Sequence, residues 1–142
     1  MIQFPISGGA ECPPRRRILC VEDDEDTCEL ITAMLGQASY EVDSAKTVAE
    51  GLDRARGDGY SLYLLDRTFS DGTGIELCEK IRQFDAETPI VFFSGLAQES
   101  DRARGLVAGA QAYLIKPNDI GVLADTIERL IEEMDGASGT EG

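Results

Sequence analysis

The chain has 142 residues, 42% of them hydrophobic, with 27 acidic against 13 basic side chains, no histidine and a formal net charge of −14. That length suits one domain with a core of its own rather than two; the charge opposes nucleic acid and anionic lipid at long range, and no apolar run approaches the roughly 20 residues of a membrane span. The lack of histidine removes Ser-His-Asp and Cys-His nucleophile systems and any mixed Cys/His zinc site, while Cys12, Cys20, Cys28 and Cys78 form no C-x-x-C pair and read as reduced thiols without a redox role.

The first fourteen residues carry Gly8, Gly9, Pro13 and Pro14, show no apolar period and lack the pattern of a secretory signal, so residues 1–14 are expected to be a flexible extension and the protein cytoplasmic. Arg15, Arg16 and Arg17 read as a solvated strand entrance. The apolar run Ile18 to Val21 predicts a buried strand. A helix is expected from about Glu25 to Gln37, with Leu30, Ile31, Met34 and Leu35 on one face. Tyr40 to Ser44 alternates as a second strand. A second helix, about Thr47 to Arg56, buries Val48, Leu52 and Ala55, and Gly57 and Gly59 end it. Tyr60 to Leu65 is a third strand, followed by a turn-rich loop at Asp71 to Gly74. The third helix spans Ile75 to Phe84, with Leu77, Ile81 and Phe84 near one stripe. Pro89 opens a fourth strand, Ile90 to Phe93. Ser100 to Ala108 is a short, weakly apolar helix, and Ala112 to Ile115 is the fifth strand. Asp119 is expected to cap a last helix from Ile120 to about Met134, with Val122, Leu123, Ile127, Leu130 and Ile131 inward. Residues 136–142 read as a flexible tail, leaving 15–135 as the folded domain.

Five strands alternating with five helices predict an α/β fold: a flavodoxin-like, doubly wound parallel sheet in the order 2-1-3-4-5. In such sheets function gathers beyond the carboxyl ends of the strands. There the sequence places Glu22, Asp23 and Asp24 after the first strand, Asp66 after the third, Ser94 and Gly95 after the fourth, and Lys116 after the fifth. Unit charges at 4 Å repel by roughly 4 kcal/mol at an effective dielectric near 20. Converging carboxylates therefore call for a proton or a cation. Oxygen ligands without sulfur or imidazole suit Mg²⁺. A lysine and a hydroxyl opposite would meet a transferring phosphoryl group, and a carboxylate can accept one as an acyl phosphate. Each residue alone reads more simply: Asp24 as a helix cap, Ser94 as a turn residue, Lys116 as a surface lysine. Their conjunction in one fold points to a metal-assisted phosphoryl acceptor.

The segments ILCVEDDED, LYLLDRTFSDGTGIEL, PIVFFSG and AYLIKP, at this spacing, resemble the receiver domains of two-component response regulators, across nearly all of 17–134. The resemblance implies that Asp66 is the phosphorylation site and that Asp23 ligates Mg²⁺ directly while Glu22 acts through water. It also implies that Thr68 offers its backbone carbonyl to the metal, that Ser94 and Lys116 meet the phosphoryl group, and that Tyr113 changes rotamer on activation. The Lys116–Pro117 bond is usually cis in the family. Ser70 stands where proline is frequent, and Gly95, where alanine is common, leaves room for a donor or water. Phosphorylation would then reshape the face made by the fourth helix, fifth strand and fifth helix. The weakly apolar fourth helix suits a moving element.

The partners implied are a sensor histidine kinase or histidine phosphotransfer protein, a downstream protein target or effector domain, and a second copy of the chain. The chain ends soon after its last helix, so output by protein contact is the expectation, with no direct nucleic-acid binding and no membrane insertion. Other classes fit less well. A flavin- or nucleotide-binding protein of this fold needs a Gly- or Ser/Thr-rich loop where the chain has EDDED. A receiver-like interaction module without phosphorylation would be expected to lack the acceptor, the lysine or the acids. A phosphatase with an aspartate nucleophile would carry a second acid at Thr68.

Overall fold

The computed structural model describes residues 16–57 and 59–141, with side chains described as far as Asp135. The expected extension 1–14, with Cys12 and Arg15, lies outside the described residues. The elements are β1 (Arg17–Val21), α1 (Glu25–Gln37), β2 (Glu41–Ala45), α2 (Val48–Gly57), β3 (Leu62–Leu65), β4 (Thr68–Phe69), β5 (Gly72–Thr73), α3 (Gly74–Arg82), β6 (Ile90–Ser94), α4 (Glu99–Ala108), β7 (Ala112–Ile115) and α5 (Ile120–Glu141).

Five strands form one sheet in the order β2-β1-β3-β6-β7, and every pairing in it is parallel. This is the expected doubly wound order. The additional strands, β4 and β5, make a separate antiparallel ribbon of two residues each. Two-residue strands are too short to leave a period-2 signal, so the sequence showed only a turn-rich loop there.

Strand residues alternate between the sheet's two faces. Leu19 and Val21 join Val48, Ala55, Leu77, Cys78, Ile81, Phe92 and Tyr113 on the face covered by α2, α3 and α4. Ile18 and Cys20 join Ile31, Leu35, Leu123, Ile127 and Ile131 on the face covered by α1 and α5. The central strands β3 and β6 are buried along their whole length, as a sheet covered on both sides requires. Cys20, Cys28 and Cys78 are buried free thiols.

Local chemistry fixes the helix starts. Asp24 caps α1 by accepting from the Thr27 amide at 2.9 Å. Thr73 and Glu76 form a reciprocal capping box on α3. Asp71 reaches across from the β4–β5 ribbon and accepts from the α2 amides of Val48 at 2.8 Å and Ala49 at 3.0 Å. At the far pole, Arg16 pairs with Asp135, joining the entrance of β1 to α5.

Several expectations need correction. Leu30 and Val122 lie on the outer flank of their helices, and Phe84 lies in the turn beyond α3, which ends at Arg82; they are exposed by 55%, 47% and 44%. The apolar stripe on each helix is wider than the face the sheet covers; Phe84 instead lies under the Arg56 guanidinium, 5.6 Å from its ring centroid. Asp119 does not cap α5: its carboxylate turns back and accepts from the Ile115 amide at 2.8 Å. The last helix also runs to Glu141 rather than ending near Met134. No proline follows Pro117, and nothing sterically breaks the intrahelical ladder.

Candidate functional site

Parallel register carries four strand ends to one edge. Val21 pairs with Leu65, and Ser94 pairs with Ile115, so the residues after β1, β3 and β7 emerge together beside the end of β6. Backbone bonds extend the register past the strands: the Glu22 amide donates to Ala45 O at 2.9 Å, Asp66 to Val21 O at 3.1 Å, and Lys116 to Ser94 O at 2.9 Å.

Glu22, Asp23 and Asp66 each bring one carboxylate oxygen within 4.8 Å of the others. Glu22 is buried, Asp66 is half-buried and Asp23 is exposed, so the cluster opens to solvent on the Asp23 side. Lys116 Nζ lies 2.8 Å from Glu22 Oε1 and 3.3 Å from Asp66 Oδ2. Its ammonium also sits 5.9 Å from the Phe93 ring centroid. One ammonium faces three carboxylates, so the cluster holds more negative than positive charge. Burial pushes Glu22 up, the Lys116 hydrogen bond pulls it back and the Asp66 charge pushes it up again, to about 7. For Lys116, burial acts downward, but the hydrogen bond to Glu22 and the Asp66 and Glu22 charges raise it above its ordinary value. The lysine is therefore held protonated, and the excess charge favours a proton or a cation among the acids.

Asp66 is positioned by its own loop. Its Oδ1 accepts from the Arg67 amide at 2.7 Å. The chain returns to it at Gly74, whose amide donates to Arg67 O at 2.8 Å. A Cβ at Gly74 would lie 1.9 Å from Asp66 O, so only glycine allows this close return.

The other expected residues sit around this centre. Ser94 is buried at the end of β6, and its Oγ accepts from the Leu96 amide at 3.1 Å. The exposed Gly95 has open space where a side chain would stand. Exposed Thr68 opens β4, two residues beyond Asp66. The Lys116–Pro117 bond is cis. Asp24 lies apart from the carboxylate cluster as the α1 cap. Tyr113 is buried, and its hydroxyl donates to Leu96 O at 2.7 Å.

Sequence reasoning missed Arg67. Its side chain is only 7% exposed. One terminal nitrogen donates to Tyr113 Oη and to Asp101 O, both at 3.1 Å. The same nitrogen lies 3.6 Å from the Asp101 carboxylate. A charged residue after Asp66 reads as solvated loop, because the groups that bury it are 34 and 46 residues away.

The response regulator receiver domain family matches residues 18–128. The response regulator ArlR of Staphylococcus epidermidis is 35% identical over 114 residues, which cover 80% of this chain and 52% of that protein. The chain thus spans about half the length of that relative. Among solved structures, a CheY-like response regulator receiver domain protein from Methanospirillum hungatei is 30% identical with a TM-score of 0.83, covering 87% of this chain and 99% of that one. The response regulator protein TrrA from Thermotoga maritima, solved in complex with Mg²⁺-BeF, is 26% identical with a TM-score of 0.74, covering 81% and 98%. Among the described residues no helix is long and apolar enough to cross a membrane. With the doubly wound sheet, the acid–lysine edge and these matches, the chain belongs to the response regulator receiver domain family.

Proposed function

We propose that the chain is the phosphoacceptor of a two-component pathway, taking a phosphoryl group on Asp66 from the phosphohistidine of a sensor histidine kinase or a histidine phosphotransfer protein in the cytoplasm. The observation that carries this reading is the Asp66 carboxylate with Lys116 Nζ at 3.3 Å and two further acids converging on it.

In the proposed transfer, an Asp66 oxygen attacks phosphorus in line, the P–N bond to the donor imidazole breaks, and the imidazole leaves with the bond's electrons and takes up a proton. Lys116, held protonated, offers its ammonium to the phosphoryl oxygens. The Arg67 amide at 2.7 Å fixes the orientation of the Asp66 carboxylate before the attack. Ser94 keeps its hydroxyl hydrogen free to donate, because its Oγ serves as acceptor for the Leu96 amide. Asp23, Asp66 and the Thr68 carbonyl would hold Mg²⁺, with Glu22 acting through water. The three carboxylates, with oxygens within 4.8 Å of one another, fit such a hard cation. Bound there, Mg²⁺ would supply positive charge against the developing negative charge of the transferred group. The Mg²⁺-BeF complex of the Thermotoga relative supports the same chemistry here.

The chain would act as a signalling phosphoacceptor, catalysing only its own transfer and dephosphorylation. We propose residues 15–135 as the receiver unit, which reports through the α4–β7–α5 face to a downstream protein or effector domain. Incubation with Mg²⁺ and acetyl phosphate, read by intact mass, tests the reading. One phosphate adduct is expected on the wild type and none on Asp66→Asn or without metal. A wild type that stays unmodified with several donors would leave the chain a receiver-like interaction module.

A further inference from the structure

Arg67 is held in an unusual way for a surface loop. Its guanidinium is desolvated, and among the described residues it faces a single carboxylate at 3.6 Å and its Nε has no hydrogen-bond partner. Leaving a buried charged group one bond short is costly. The contacts it does make join the switch elements in one circuit. From Asp66 Oδ1 the path runs through the Arg67 backbone to the guanidinium, then to Tyr113 Oη, and from the Tyr113 hydroxyl to Leu96 O. The Leu96 amide in turn binds Ser94 Oγ. Acceptor, aromatic and hydroxyl are thus connected by hydrogen bonds through Arg67 and Leu96.

Arg67 also holds the start of α4. It donates to Asp101 O, and the Asp101 carboxylate that it faces also accepts from the Gln98 amide at 3.2 Å. That helix buries one residue of its own, Gly105. A Cβ at Gly105 would lie 2.8 Å from Tyr113 Cδ2, so the helix backbone rests on the tyrosine ring itself. Whatever holds the ring therefore also sets the height of the helix.

We propose that Arg67 is the positioning residue of the switch: its guanidinium seats Tyr113 inward and clamps the first turn of α4. The inference rests on the proposed function in taking Tyr113 and α4 as the moving parts. Its physical content, a clamp on both, stands apart from phosphorylation. The orphaned Nε suits a switch, since a second packing that satisfies this donor would compete with the first at small cost.

The test is native-state amide exchange of segment 96–108 in the full chain without any phosphodonor, with segments 17–21 and 62–65 as internal references. The proteins compared are wild type, Arg67→Met, Tyr113→Phe and the double variant. Arg67→Met keeps an unbranched apolar stem and removes the guanidinium with its donors. Exchange in segment 96–108 is expected to rise by about tenfold relative to the references, the order of one lost charge-assisted hydrogen bond. Tyr113→Phe should give a smaller rise. Exchange in the double variant should rise by less than the product of the two single effects, because the Arg67–Tyr113 bond is common to both. Arg67→Lys, which retains the charge, should fall between wild type and Arg67→Met, and it serves as the lead variant if Arg67→Met does not fold. Unchanged exchange in segment 96–108, or effects that multiply in the double variant, would overturn the clamp. Failure of the Asp66 adduct would overturn the proposed function and leave these ratios as they are.

Discussion

Helices α3 and α4 invite comparison, since they lie side by side on one face of the sheet and have 9 and 10 residues. The first buries Gly74, Leu77, Cys78 and Ile81. The second buries only Gly105, while Leu106 and Val107 are exposed by 40% and 87%. What α4 lacks in apolar burial it replaces with directional contacts: Arg67 to Asp101, Arg102 to Tyr113 O at 3.3 Å, and the fit of Gly105 on the Tyr113 ring. Burial resists displacement in every direction, because each buried methylene is worth about 0.8 kcal/mol wherever it is buried. Hydrogen bonds and a glycine contact hold one position and are exchanged for others at low net cost. The helix that follows the Asp66 loop is therefore anchored by burial, and its neighbour is held by a few directional contacts.

The strongest challenge to this contrast is a matched pair of truncations. Leu77→Ala should cost about 2–5 kcal/mol of global stability, whereas Leu106→Ala should stay within about 0.5 kcal/mol. Urea unfolding of both variants measures the difference, and equal losses would erase the distinction between the helices. Gly105→Ala comes next. Its methyl must displace either the ring of Tyr113 or the helix, at about 1–3 kcal/mol. If α4 is the more mobile partner, amide exchange should rise in α4 and stay level in α3. A smaller effect concerns acid. Asp85, just beyond α3, feels an upward push from burial, which the amides of Thr88 and Glu87 and the Tyr63 hydroxyl outweigh, so its carboxyl is held below the ordinary 3.8. A depressed carboxylate contributes stability that is present above the unfolded value and lost as pH falls through the folded one. Thermal unfolding of Asp85→Asn should therefore converge on the wild type below about pH 4 and fall short of it at neutral pH.

The sheet and its strand ends were legible because they depend on local signals. Apolar runs such as Ile18 to Val21 and Ile90 to Phe93 mark buried strands, and right-handed crossovers leave few orders for them. Glu22, Asp66 and Lys116 followed from that topology, and the structure brings both acids within hydrogen-bond reach of the lysine. Other features have no local signature. Arg67 is buried only because Asp101 and Tyr113 fold over it. The Asp71 carboxylate binds α2 amides more than twenty residues earlier, and Asp119 chooses the Ile115 amide over the helix it precedes. A periodicity argument also marks a whole apolar stripe as inward. It does not say how much of that stripe the sheet will cover or where the helix stops: Leu30 and Val122 lie on the uncovered part, and Phe84 beyond the end of α3.

The pairing of Arg16 with Asp135 has a practical consequence. Because α5 runs back against the strands, positions 16 and 135 meet at the pole opposite the acid–lysine edge. A short peptide bridge between them would close the core into a ring without crossing the acid–lysine edge. The ring could then be reopened at an exposed turn, such as the one after α3, to give a circular permutant whose new ends accept fused reporters away from the acid–lysine edge.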